Sequence, residues 1–326
     1  MKRVLIAPAP LAELEGGFTT ALREAGFELV YPARRAQLTE EELRAVLPGV
    51  SATLAGSEPY TRSVLQANRH IKVIARAGVG YDAVDLAAAT EFGVAVCFAP
   101  GTNQDAVAEH TFAMILALAK GLIVQHLGTC ALRWPRRANI PLRGRTLGIA
   151  GLGRIGKAVA LRGESFLMPL LAYEPYPDRD FVAQHGIRLV SFEQLLAESD
   201  FLTLHMPATA ESHHLINRDT LRLMKPTAFL LNTARGTIIH EADLIEALTA
   251  GRLAGAGLDV FEDEPPADNP LFHMDNVVVT PHAAGVDLKS RDDMALSAAM
   301  AIVSLSRGEW PTEKIVNPEV RERFRW

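Results

Sequence analysis

The sequence predicts an α/β protein built on parallel sheets and divided into two domains. Three observations predict it. Short apolar runs alternate with amphipathic stretches along the whole chain, the pattern of parallel strands joined by helical crossovers. One of these runs leads directly into Gly151-Leu152-Gly153-Arg154-Ile155-Gly156 and then into helical sequence. At 326 residues the chain is long for one core, and its apolar content, nearly half of all residues, is enough to fill two.

The elements follow in order. Residues 3–7, 27–31, 52–55, 71–75 and 94–98 read as strands, and 19–25, 40–47, 62–67 and 85–92 carry helical periodicity between them. Phe98-Ala99-Pro100-Gly101 is a turn signal that closes this block. One long helix is expected over 104–127, then a basic, proline-containing loop to 145. A second strand–helix series opens at 146–150 and continues with strands at 170–173, 201–204, 228–233, 255–260 and 277–280; a final long helix is expected over 288–306.

Composition excludes several classes. A formal net charge of -5 gives no reason to expect nucleic-acid or anionic-membrane partners. The basic residues are scattered apart from Arg133-Trp134-Pro135-Arg136-Arg137. Cys97 and Cys130 show no metal-ligand spacing and form no disulfide framework, so no metal is expected and a reducing compartment, the cytoplasm, is the natural reading. The apolar N-terminus turns acidic at Glu13 and Glu15 and reads as a buried strand, not a signal peptide. The apolar stretch 106–127 carries Glu109, His110, Lys120 and His126, which argues against a membrane span.

A lone GxGxxG pattern is a weak signal. Here it follows an apolar strand and opens a helix, the context that the dinucleotide (Rossmann) fingerprint requires. Gly151 permits the tight turn, Gly153 lets backbone approach a pyrophosphate, and Gly156 lets helix and strand pack closely. The helix N-terminus then offers N–H groups and partial positive charge to phosphates. Glu174 ends the next strand, about 20 residues on, where an acid accepts hydrogen bonds from the adenine ribose and repels the extra phosphate of NADP. The expected cofactor is NAD.

In open parallel sheets ligands bind beyond the carboxyl ends of the strands. Three later strands run there into Arg235, Glu264 and His282. Removing a hydride from an alcohol carbon requires a base for the hydroxyl proton, and the reverse requires an acid. Histidine serves both near neutrality. A nearby glutamate would orient the imidazole and stabilise its charged form. A planar, permanently charged arginine binds a carboxylate and polarises the adjacent carbonyl. Taken singly, each residue reads as a core histidine, a solvated acid or a capping cation. Their convergence past a nucleotide loop favours chemistry.

The sequence resembles the D-isomer-specific 2-hydroxyacid dehydrogenases, especially phosphoglycerate-dehydrogenase-like members, over nearly its whole length. The resemblance rests on Arg76-Ala77-Gly78-Val79-Gly80-Tyr81-Asp82, Val107-Ala108-Glu109-His110-Thr111, the glycine loop, Asn232-Thr233-Ala234-Arg235-Gly236, Gly257-Leu258-Asp259-Val260-Phe261 and Pro281-His282. It implies a nucleotide-binding Rossmann domain (residues 101–286) inserted into a flavodoxin-like substrate domain (1–100 with 287–326), and a homodimer joined through the nucleotide domains. It implies that Arg235, Glu264 and His282 are the catalytic set acting on a small 2-hydroxy or 2-keto acid. Besides the glycine loop with Arg154 and Ile155, it places His205, Pro207, Thr233, Ala234, His282 and Asp259 at the cofactor, Asp259 near the nicotinamide carboxamide. It places the substrate carboxylate on backbone N–H groups near Val79 and Gly80, with Gly78, Arg76, Asn103 and the start of the long helix lining the cleft.

Some positions depart from that pattern. Thr237 and His240 stand where a glycine and an acid are usual, and Ser165-Phe166-Leu167-Met168-Pro169 stands where a glycine turn is expected. The loop Leu54-Ala55-Gly56-Ser57-Glu58-Pro59-Tyr60 lacks a basic residue. Glu58 is expected to face the distal end of the substrate and to disfavour a phosphate, so a neutral or polyhydroxylated acid such as glycerate is the expected preference. Arg76, with Arg136 or Arg137 from a neighbouring subunit, is the opposing route to phosphate binding. Two rival readings remain at this stage. One is a catalytically weak, NAD-sensing regulatory dimer of the same fold. The other is formate oxidation, which Glu264 argues against because formate enzymes of this fold pair their histidine with an amide.

Overall fold

The computed structural model describes residues 2–33 and 37–326. The chain divides into two compact units, Met1–Asn103 with Val286–Trp326, and Gln104–Gly285.

The first unit is built on strands β1 (Lys2–Ile6), β2 (Phe27–Val30), β3 (Ala52–Ala55), β4 (Val73–Arg76) and β5 (Ala95–Cys97), with helices α1 (Gly17–Glu24), α2 (Glu40–Val46), α3 (Arg62–Ala67) and α4 (Leu86–Glu91) between them. The strands are parallel, in the order β2-β1-β3-β4-β5, a flavodoxin-like arrangement. Alternate residues of β1 serve opposite faces. Val4 and Ile6 pack with Phe18 and Leu22, while Leu5 packs with Leu43, Val64 and Ala88. Burial on both faces is why these strands read as unbroken apolar runs. Thr39, Thr61 and Asp85 cap α2, α3 and α4 through side-chain acceptors. The long C-terminal helix (Leu288–Ser306) returns to this unit, where Ala295, Ala298 and Ile302 join the core of the α1 face.

The second unit begins with α5 (Gln104–Lys120) and α6 (Leu122–Cys130) and continues β6 (Leu147–Ala150), α7 (Arg154–Ser165), β7 (Leu170–Tyr173), α8 (Arg179–Gln184), β8 (Arg188–Leu189), α9 (Phe192–Glu198), β9 (Phe201–Leu204), α10 (Arg218–Leu221), β10 (Phe229–Asn232), α11 (Glu241–Thr249), β11 (Gly255–Leu258) and β12 (Val277–Val279); the C-terminal helix is then α12. Its seven strands are parallel, in the order β12-β11-β10-β9-β6-β7-β8. This is the doubly wound order, with its switch point between β6 and β9. Among the described residues no single helix is long and apolar enough to cross a membrane.

Two expectations are corrected. The single helix over 104–127 is two helices bent by 60°. Gly121 lies between them at φ 56, a left-handed conformation that ends a helix and favours glycine. The Arg137 guanidinium fills the space that a β-carbon of Gly121 would need, so this arginine lies against its own chain. At the end of α7, where a glycine turn was expected, Leu167 itself adopts φ 56. Hydrogen bonds from Leu167 N to Glu164 O and from Met168 N to Gly163 O close that turn without glycine. The short β8 lies beyond the strands that apolar runs reveal, because its two residues are exposed or half-buried.

Candidate active site

The glycine loop sits at the switch point of the second unit, between the ends of β6 and β9. Gly151 has φ 93, and a β-carbon there would collide with the His205 and Met206 backbone. A β-carbon on Gly156 would overlap the Gly151 carbonyl. Gly153 faces open space, as a glycine does where a ligand's phosphates must approach the backbone. It caps α7, a helix of 12 residues, whose first N–H groups carry the positive end of the dipole. These features fit a dinucleotide.

Glu174 follows β7. Its Oε2 accepts from Leu152 N at 2.8 Å and its Oε1 from Tyr176 N at 3.0 Å, so the carboxylate also braces the glycine loop. His205 follows β9, accepts no proton at ordinary pH because burial pushes its pKa down to about 3, and pairs Nε2 with Thr203 Oγ1 at 2.8 Å. Its Nδ1 is buried and has no partner among the described residues. Pro207 is exposed just beyond. Thr233 is buried and meets Thr111 across α5 at 3.2 Å.

The adjacent strands β10, β11 and β12 deliver the three predicted catalytic residues to the same sheet edge. Beyond β10, Asn232 shapes the turn: its Oδ1 accepts from Ala234 N at 3.0 Å and its Nδ2 donates to Arg235 O at 2.8 Å. Gly236 lies so close to the backbone of Phe261 and Glu262 that a β-carbon would overlap it. That contact locks the Arg235 turn to the loop carrying Glu264. Within that loop Glu264 Oε1 accepts from Phe261 N at 3.0 Å, and Oε2 meets His282 Nδ1 at 2.6 Å. Burial pushes the Glu264 carboxyl up, but the hydrogen bond and charge of His282, the Phe261 N–H and the positive charge of Arg235 outweigh it and hold the group below its usual range. With Nδ1–H committed to the carboxylate, Nε2 of His282 is left to exchange a proton.

His282 lies at φ 51, a conformation that costs about 1–3 kcal/mol for a non-glycine residue. Asp259 holds it there. Its carbonyl accepts from His282 N at 2.8 Å, Oδ1 accepts from Ala283 N at 2.8 Å and from Thr280 Oγ1 at 2.5 Å, and Oδ2 accepts from Ala284 N at 2.9 Å. Sequence reasoning placed Asp259 beside the cofactor and missed this bracing role. It named His110 of α5 only as a polar break in an apolar stretch and as part of a family block, and gave no site role to this residue, whose Nε2 lies 2.9 Å from Thr280 Oγ1. The available signal was a histidine interrupting an apolar helix.

The predicted substrate-binding residues other than Arg235 belong to the first unit. Arg76 ends β4; it is buried, and donates from Nε to Gly80 O at 2.8 Å and from Nη1 to Ala55 O at 3.3 Å. It braces the Gly78, Val79 and Gly80 loop from beneath. Asn103 is half-buried at the end of the segment. The expectation for Glu58 is corrected: it is 1% exposed, and its Oε2 accepts from Gly56 N at 2.6 Å. Burial raises its pKa, with Arg76 opposing. The short loop folds the side chain back on itself, so Glu58 is an internal group and not a surface for substrate.

Residues 112–284 match the family model described as the D-isomer specific 2-hydroxyacid dehydrogenase, NAD binding domain. A glyoxylate reductase of Korarchaeum cryptofilum is 40% identical over 271 residues, 81% of each chain. The chain belongs to the D-isomer specific 2-hydroxyacid dehydrogenases. A D-3-phosphoglycerate dehydrogenase of Archaeoglobus fulgidus is also 40% identical, over 86% of this chain; this chain spans 54% of that relative. The D-lactate dehydrogenase of Aquifex aeolicus, solved with NAD and lactic acid, is 30% identical with a TM-score of 0.84 over 97% of this chain and 99% of its own. The α/β architecture of both sheets is that of this family of NAD-dependent dehydrogenases.

Proposed function

We propose that the chain interconverts a D-2-hydroxy acid and its 2-keto acid with NAD(H), using Arg235, Glu264 and His282. The observation that carries the reading is the 2.6 Å His282–Glu264 pair beyond the ends of three adjacent strands, on the edge that also bears the glycine loop. NAD, when bound, supplies the hydride acceptor. The residues that would hold it are the glycine loop with Arg154 and Ile155, Glu174 at the ribose, and His205, Pro207, Thr233 and Ala234 along the neighbouring strand ends. His282 Nε2 takes the hydroxyl proton during oxidation and returns it to the carbonyl oxygen during reduction. Glu264 keeps Nδ1 protonated and offsets the imidazolium charge. Arg235 grips the substrate carboxylate and polarises the reacting carbon–oxygen bond. In the first unit Arg76 shapes the loop of Gly78, Val79 and Gly80. The trio also argues against the rival reading, a regulatory dimer that only senses NAD.

With Glu58 internal, the argument against a phosphorylated substrate rests on the loop at residues 54–60, which contains no lysine or arginine. We favour a small unphosphorylated acid, a reading that the similarity to glyoxylate reductases supports. Steady-state rates with hydroxypyruvate, glyoxylate and phosphohydroxypyruvate decide it; much higher kcat/KM with the phosphorylated compound would overturn that preference. The exposed apolar side chains of α6 and its following loop, among them Leu127, Leu132 and Trp134, are the face proposed for a homodimer, which light scattering would detect.

A further inference from the structure

His282 can be useful only if its strained loop is held in one place. Asp259 does the holding, and Asp259 is itself 1% exposed. A buried carboxylate needs its lone pairs occupied and its charge answered. Thr280 Oγ1 donates to Asp259 Oδ1, since a carboxylate can only accept. The same hydroxyl then has lone pairs left, and His110 Nε2 at 2.9 Å must be the donor that fills one. That contact fixes the tautomer of His110 as Nε2–H and aims the hydroxyl proton of Thr280 at Asp259. The ring nitrogen is also 3.8 Å from Asp259 Oδ1, close enough for the N–H dipole to favour the carboxylate. Three separate elements, α5, the end of β11 and the end of β12, thus meet in one chain of hydrogen bonds. It ends at the backbone amides of residues 282–284.

We propose that His110 is a positioning residue for His282, acting through Thr280 and Asp259. The inference rests on the reading of His282 as the proton carrier. His110→Leu removes the donor, and His110→Gln keeps an N–H donor at similar reach. Losing this bond should lower kcat about five- to tenfold, with KM for NADH unchanged within about twofold, and His110→Gln should restore most of the loss. Because the effect travels through one hydroxyl, adding His110→Leu to Thr280→Val should cost no more than Thr280→Val alone. Hydrogen exchange of the 282–284 amides gives a readout independent of turnover: faster in His110→Leu, close to wild type in His110→Gln. Wild-type kcat and exchange in His110→Leu, or losses that multiply in the double variant, would overturn the proposal. A lower Tm with unchanged kcat and exchange would make His110 a packing residue only and overturn it too. His282→Asn is the control: if it retains turnover, the reading of His282 fails; if it loses turnover while His110→Leu does not, only this inference fails.

Discussion

Replacing Glu264 with glutamine keeps the side chain's size and removes its charge. The wild-type carboxylate accepts twice, from Phe261 N at 3.0 Å and from His282 Nδ1 at 2.6 Å. An amide has one oxygen. If that oxygen stays on Phe261, the NH₂ faces Nδ1 and selects the tautomer with the proton on Nε2, which cannot act as base. If the oxygen turns to His282, the Phe261 N–H loses its acceptor. A hydrogen bond to a charged group contributes about 1.5–3 kcal/mol, and each 1.36 kcal/mol is about tenfold in rate. The pair is about a third to two-fifths exposed, with side-chain exposures of 43% and 32%, so solvent trims its upper range. The expected loss in kcat is therefore about 10- to 100-fold, read from NADH absorbance with hydroxypyruvate, with KM for NADH little changed. The pH dependence has a definite sign. A carboxyl held below its ordinary value of about 4.3 stabilises the pair fully above that value and loses the effect as pH falls through its lower folded value. The pair's contribution to fold stability, read as the difference in Tm between wild type and variant, should thus be intact above about pH 5 and shrink below it. A Glu264→Gln enzyme with kcat within about twofold of wild type would refute the orienting role.

Three further outcomes are expected. His282→Asn should lower kcat by about 100- to 10,000-fold while NADH binding, followed by fluorescence, stays near wild type; retained turnover across pH would remove the histidine from the mechanism. Glu174→Gln should narrow the preference for NADH over NADPH, measured as a ratio of kcat/KM values, and an unchanged ratio would assign Glu174 to bracing the glycine loop alone. Gly236→Ala should destabilise the fold by at least about 2 kcal/mol, some 5 °C in Tm, because the new methyl overlaps the Phe261–Glu262 backbone; an unshifted Tm would show that this crossing has room.

Much of the architecture is legible in the chain because it is written locally. Parallel strands buried on both faces read as apolar runs, and β3, β6 and β10 have no exposed residue to interrupt them. The nucleotide loop is legible because its glycines answer local backbone demands. The proposed catalytic trio is legible through position, since parallel strands deliver their following residues to one edge. What escapes the sequence depends on distant partners. The break at Gly121 looks like a tolerated helix glycine until Arg137 is seen beside it. Glu58 reads as an acid facing the substrate until its carboxylate is found on Gly56 N. The resemblance places Asp259 near the nicotinamide, but nothing in its neighbours in sequence reveals that its oxygens also face residues 280–284. His110 lies 170 positions from Thr280, and no periodicity links them.

The site is proposed to turn over a D-2-hydroxy acid with NAD. The most direct test is to mix the purified protein with NADH and a panel of 2-keto acids, follow absorbance, and determine the configuration of the hydroxy acid formed. NADH oxidation with at least one short 2-keto acid and a product of D configuration are expected. Tight NADH binding without turnover of any member, or an L product, would contradict it.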